Sequence, residues 1–190
     1  MMPSGQPTMT RFPAMSSAPG PQAPVLRTGA DYHAQGCADY NSRRFTNALA
    51  DFRKSCELGS NNQDYSYFRV WLIRARLGEK EAATQELVAY LESRKVQKSN
   101  DWPSKVGKFL AGQSSESDFL KSADDPNLQT SKEQHCEAYF NIGSKHLMEN
   151  DRMAAVDLFK KCLTTNLTDF EEYTSAASEL LFLQLPPTNP

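Results

Sequence analysis

A near-constant spacing constrains this chain more than any other feature. Gly36, Trp71, Gly107, Gly143 and Ala177 follow one another at intervals of 35, 36, 36 and 34 residues. After Gly36 and Gly143 the same pattern repeats: an Ala twelve positions on (Ala48, Ala155), then an aromatic anchor four further (Phe52, Phe159). Trp71 leads in the same way to Ala83 and Leu87, whereas Gly107 leads to Phe119 and Ala123, a degenerate copy. Self-similarity at such a period marks an array of supersecondary units, none able to bury its apolar face alone. A small residue at the crossing point of two antiparallel helices lets them approach closely. A larger one there costs about 1–3 kcal/mol.

The units read as helical. Apolar residues recur at helical spacing, as in Ala48, Leu49, Phe52 and Cys56. Ser131 with Gln134, and Thr168 with Glu171, read as capping boxes that start helices. Asn61–Asn62, Gly78, Asn150–Asp151 and Asn166 read as turns, and no stretch sustains a period of two. The expected fold is therefore all-α, a solenoid of antiparallel helix hairpins starting near residues 29, 64, 100 and 136, with the third degenerate. A closing helix follows from about residue 169. In it Phe170, Tyr173, Ala176, Ala177 and Leu180 form an apolar stripe, while Glu171, Glu172, Thr174, Ser175 and Glu179 are expected to face water as a solubilising cap.

Six of the eleven prolines fall in residues 1–28 among Ser, Gly and Gln, so this segment is expected to be a disordered linker. The domain is expected over 29–185, with 186–190 as a tail. Lys and Arg number 21 against 23 Asp and Glu. That balance lacks the basic excess with which proteins displace counterions from nucleic acid, and nucleic acid is not an expected partner. No apolar run reaches the ~18–20 residues of a membrane span. Residues 1–28 also lack the ~7–15-residue apolar stretch of a secretory signal, making the cytoplasm the default location.

The period and the hairpin pattern resemble the tetratricopeptide repeat over residues 29–183. The departures are the missing proline between repeats, the bulky Trp71 and the degenerate third unit. Several runs, Trp71-Leu-Ile-Arg-Ala-Arg-Leu-Gly78, Trp102-Pro103, Val106-Gly107-Lys-Phe-Leu-Ala-Gly112, Cys136-Glu-Ala-Tyr-Phe and Phe170-Glu-Glu-Tyr with Ala176-Ala-Ser-Glu-Leu180, are similar to a bacterial subgroup that includes an envelope lipoprotein, new lipoprotein I. That resemblance implies an adaptor in the envelope, with a hydrolase or protease as its partner. The lipidated cysteine of that lipoprotein has no counterpart, since the first cysteine is Cys37.

In this family the first helix of each hairpin lines a concave groove. The resemblance places His33, Tyr40, Tyr65, Phe68, Leu72, Arg76, Phe140, Ser144 and Leu147 on its wall. It implies a peptide or protein held by its apolar side chains. The residues also admit another reading, in which Phe68, Leu72 and Phe140 are core. The positions where related proteins clamp a carboxylate are not Lys and Asn, apart from Lys108, so no clamp is expected.

Hairpin register sets Cys136 opposite Cys162, either as a disulfide or as two buried thiols. Cys37 and Cys56 stand nine positions out of register, roughly 13 Å along the helices. His33, His135 and His146 are scattered, and adjacent His135 and Cys136 would point apart on a helix. No phosphate loop or nucleophile motif occurs. Neither catalysis, nor a cofactor, nor a metal is expected. Two functions follow: a protein-binding adaptor, or a structural module that docks its own upstream domain or forms a homodimer.

Overall fold

The computed structural model describes residues 28–94 and 101–184. The expected linker therefore lies outside the described residues except for Thr28, as does the tail at 186–190. Everything regular among the described residues is helical: α1 (Gly29–Asn41), α2 (Phe45–Leu58), α3 (Gln63–Arg76), α4 (Lys80–Ser93), α5 (Trp102–Leu110), α6 (Glu116–Lys121), α7 (Leu128–Met148), α8 (Arg152–Thr164) and α9 (Glu171–Gln184). No helix among them is long and apolar enough to cross a membrane.

The repeat is written most clearly in the turns. At four helix ends the chain closes with the same bond, from the amide five residues on to a carbonyl of the last turn. These run from Arg44 to Asp39 O, Glu79 to Arg74 O, Gln113 to Lys108 O and Asp151 to His146 O, at 2.8–2.9 Å. The residue before each donor is left-handed: Arg43 (φ 58°), Gly78 (φ 88°), Gly112 (φ 77°) and Asn150 (φ 63°). This Schellman closure satisfies carbonyls that a helix end leaves orphaned. Gly and Asn tolerate the left-handed region; an arginine there is unusual and carries local strain.

The first and last hairpins cross where the small residues predict. A Cβ added to Gly36 would lie 2.9 Å from Phe52 Cε1, and one on Gly143 2.9 Å from Phe159 Cε1. Between these two copies the bulk changes sides. Trp71 on α3 is buried, its indole Nε1 donating to Thr84 Oγ1 at 3.0 Å, and the residue in register is the smaller, buried Leu87.

The third unit is cut short. Asp101 caps α5 by accepting from Ser104 N at 3.0 Å, and Pro103 fits the first turn, where its missing amide costs nothing. Arg94 ties this cap to α3, with 2.9 Å to Asp64 and 2.8 Å to Asp101. α6 is only six residues long, but its Phe119 is buried and stacks on Trp102 (5.4 Å) and Phe109 (4.4 Å). Gly107 faces Leu91 and Phe68, on α4 and α3, instead of a second helix of its own unit.

Two expected helix starts are corrected. α7 begins at Leu128, and its cap is Asn127, whose side chain accepts from Gln129 N and Thr130 N. Ser131 lies inside the helix and bonds back to Ala123 O at 3.3 Å. α9 begins at Glu171, beyond Thr168.

Candidate functional site

The inner faces of α1, α3 and α7 converge, as groove-forming helices should, but the chain's own α9 occupies the space between them. This corrects the expected exposure of the groove wall. His33, Tyr40, Phe68, Leu72, Phe140 and Ser144 are buried, each 3 % exposed or less. Tyr65, Arg76 and Leu147 are half-buried at the ends of α9. The reading of Phe68, Leu72 and Phe140 as core is the one the packing fits.

The orientation of α9 is the larger correction. Glu172, Ser175 and Glu179, expected in water, are buried, while Thr174 is exposed. Arg69 on α3 explains part of this. Its guanidinium lies 4.7 Å from the ring centre of Phe140 and 5.1 Å from that of Tyr40, and donates to Ser175 Oγ (3.1 Å) and Glu172 Oε1 (3.4 Å). Buried charge survives only when paired, and the aromatic faces add cation–π attraction. Glu179 is held from three sides, by Arg76 (2.7 Å), Arg43 (3.1 Å) and the Tyr40 hydroxyl (3.1 Å). Asn41 completes the seat, with Ser175 Oγ donating to its Oδ1 at 2.8 Å and Ser178 Oγ to its carbonyl at 2.6 Å. Burial is the main reason that the Tyr40 hydroxyl is pushed up to about 12.

His33 lies at the other end of α9. Its Nε2 is 2.7 Å from Glu171 Oε2, although the two are 138 residues apart, and its Nδ1 is 2.7 Å from Ser66 Oγ. Burial works to raise the Glu171 carboxyl, but the bond from His33 and the charges of His33 and Arg69 hold it below the usual range. No residue spacing announces this meeting. A sequence signal for the Arg69 seat did exist: a lone arginine inside the apolar run Phe68–Ile73 must find a counterion.

α9 divides the inner face into two clefts of opposite charge. Around its C-terminal half, Arg43, Arg76 and Arg152 stand over Leu147, Met148 and Phe182 in a cleft of ≈ 390 Å³ with Glu179 as the acidic group. Around its start, Glu133, Glu137, Asp169, Glu171 and Glu172 surround Tyr65 in a cleft of ≈ 350 Å³. Glu137 accepts from Trp102 Nε1 at 2.8 Å and from the Tyr65 hydroxyl at 3.3 Å. Its burial, then the nearby Glu172, push its carboxyl well above the usual carboxylate range. The folded state thus keeps this proton when the unfolded chain has lost it, so the contribution to stability falls as pH rises out of the carboxylate range. Glu137→Gln removes that titration. Its urea midpoint relative to the native chain is expected to be higher at about pH 8 than at about pH 5, and parallel pH profiles would contradict this assignment.

The remaining candidates are quickly placed. Cys136 and Cys162 are both buried free thiols with sulfurs 3.3 Å apart, facing as the register requires. His135 Nδ1 is 2.8 Å from Ser131 O, on its own helix. His146 bridges Glu116 (2.9 Å) and Asp151 (3.4 Å) across the third and fourth turns. Compared with known proteins, the chain matches no family model and no curated protein sequence.

Proposed function

We propose that this chain is a protein–protein interaction module of the tetratricopeptide type, an adaptor that holds a peptide or protein and performs no chemistry. The observation that carries the reading is the seating of α9: the inner face of α1, α3 and α7 holds a helix through Arg69, Arg76, Asn41 and His33. A partner then engages what α9 leaves open, the basic, apolar-floored cleft at one end and the acidic cleft at the other. Clefts in which one sign of charge predominates steer and select partners of the opposite sign. An envelope hydrolase or protease remains the partner class that the family resemblance implies.

The test is capture from source-organism lysate with the native chain and two charge-reversal variants at exposed positions, Arg152→Glu and Asp169→Lys. A partner kept by one variant and lost by the other assigns the cleft. Capture that is identical for all three, or absent for all, ends the adaptor reading.

A second reading, self-association, has its own observation. Leu77, Met153 and Leu181 are 52 %, 82 % and 60 % exposed and adjoin Arg76, Arg152 and Phe182 of the basic cleft in sequence. Light scattering that gives a dimer, lost in Met153→Glu, would favour it.

A further inference from the structure

His33 and Cys37 stand one helical turn apart on α1, so their side chains share a face. Glu171 reaches the same point from the first turn of α9. The imidazole nitrogen, the thiol sulfur and a carboxylate oxygen all lie within 4.8 Å of one another. We infer that His33, Cys37 and Glu171 form a binding site for a divalent transition-metal ion, with zinc the best match in ligand chemistry.

Three features support the inference. The donors are one nitrogen, one sulfur and one oxygen, the mixture that suits a borderline ion such as Zn²⁺ and not Ca²⁺ or Mg²⁺. His33 also has the outer support typical of a ligating histidine: its Nδ1 is 2.7 Å from Ser66 Oγ, which donates to Ser55 Oγ at 2.9 Å. With the Ser66 proton directed at Ser55, Nδ1–H is the donor to Ser66, and Nε2 presents a lone pair. That nitrogen faces Glu171 Oε2 at 2.7 Å, a gap that a shared proton spans. A metal ion, with bonds of ~2.0–2.2 Å to each donor, takes that proton's place once the two side chains part by about half an ångström. Finally, the ion has an entry path. Glu171 lines the acidic cleft, where Glu133 and Asp169 would draw a dication inward and a water could complete the coordination.

The charges balance on binding. Cys37 releases its thiol proton to solvent, and the proton held between His33 and Glu171 also leaves. One thiolate and one carboxylate then neutralise the dication, with neutral imidazole as the third ligand. Arg69, close by, is already paired with Glu172.

Cobalt(II) chloride is the probe, titrated into the chelator-treated full chain in a phosphine-reduced buffer. The expected result is a thiolate-to-cobalt charge-transfer band in the near ultraviolet that saturates at one equivalent, with visible bands of low-coordinate cobalt. The charge-transfer band should vanish in Cys37→Ser and persist in the Cys136→Ser/Cys162→Ser variant, which removes the two adjacent sulfurs elsewhere in the fold. Glu171→Gln sits at a half-buried helix start. It should keep the fold, checked by thermal melting, and weaken cobalt binding at least about tenfold, since even outer-shell changes cost that much. The inference is overturned if the native chain shows no saturating band, if the band survives Cys37→Ser, or if it follows Cys136 and Cys162 instead. Unchanged affinity in folded Glu171→Gln overturns it equally. None of these outcomes depends on the interaction reading above.

Discussion

Arg69→Met is expected to lower the unfolding free energy by about 3–5 kcal/mol, among the largest losses any single change in this chain can produce. Arg69 is 2 % exposed, and the substitution leaves Glu172, itself 7 % exposed, without its counter-charge in the interior. Glu172 already has its carboxyl raised, by burial above all, with Arg69 the chief opposing influence. Without Arg69 it must stay protonated or pay the full cost of an isolated buried charge. The double variant Arg69→Met/Glu172→Gln should therefore recover much of the loss. The loss in the single variant should also deepen as pH rises, because the folded state then holds a proton that the unfolded chain releases. Guanidinium unfolding of the two variants measures the coupling directly. Equal losses in both would mean that α9 is not seated by this pair.

Gly143→Leu comes second. Its Cβ alone would lie 2.9 Å from Phe159 Cε1 and 3.2 Å from Leu158 Cβ, and the rest of the leucine has nowhere to go. The expected loss is at the upper end of the ~1–3 kcal/mol typical of overpacking. Phe159→Ala in the same chain should return part of it, since the second hairpin pairs a large Trp71 with a smaller Leu87 at the same register. An unchanged melting temperature in Gly143→Leu would refute the crossing geometry. A double variant no better than the single would show that the strain falls elsewhere.

The sequence revealed what depends on local rules. Helix crossings at Gly36 and Gly143, turns at Gly78 and Asn150, and the facing of Cys136 and Cys162 all follow from spacing within one hairpin. What it concealed depends on pairs far apart. Glu172 and Glu179 look like a solvated helix face by themselves. Their reversal requires Arg69 and Arg76. The apolar run around Arg69 signals that it needs a counterion, but the Arg69–Glu172 bond spans 103 residues and nothing local names the partner. The same holds for His33 and Glu171. The start of α7 was missed for another reason: Ser131 and Gln134 satisfy the capping-box pattern, but Asn127 caps the helix earlier.

α9 packs against α1 as well as against α7 and α8. An open array of helical repeats couples only nearest neighbours, so it can melt progressively inward from either end. Here the first and last helices of the described residues are themselves neighbours, joined by bonds such as Tyr40 to Glu179 across 139 residues. Closing so long a loop costs little more than closing one half its length, about 0.6 kcal/mol. In return, neither terminal unit can fray without breaking the other's contacts. The domain should therefore unfold as a single cooperative unit, and it should fold more slowly than its helical content implies, because its two ends must meet before either is secure.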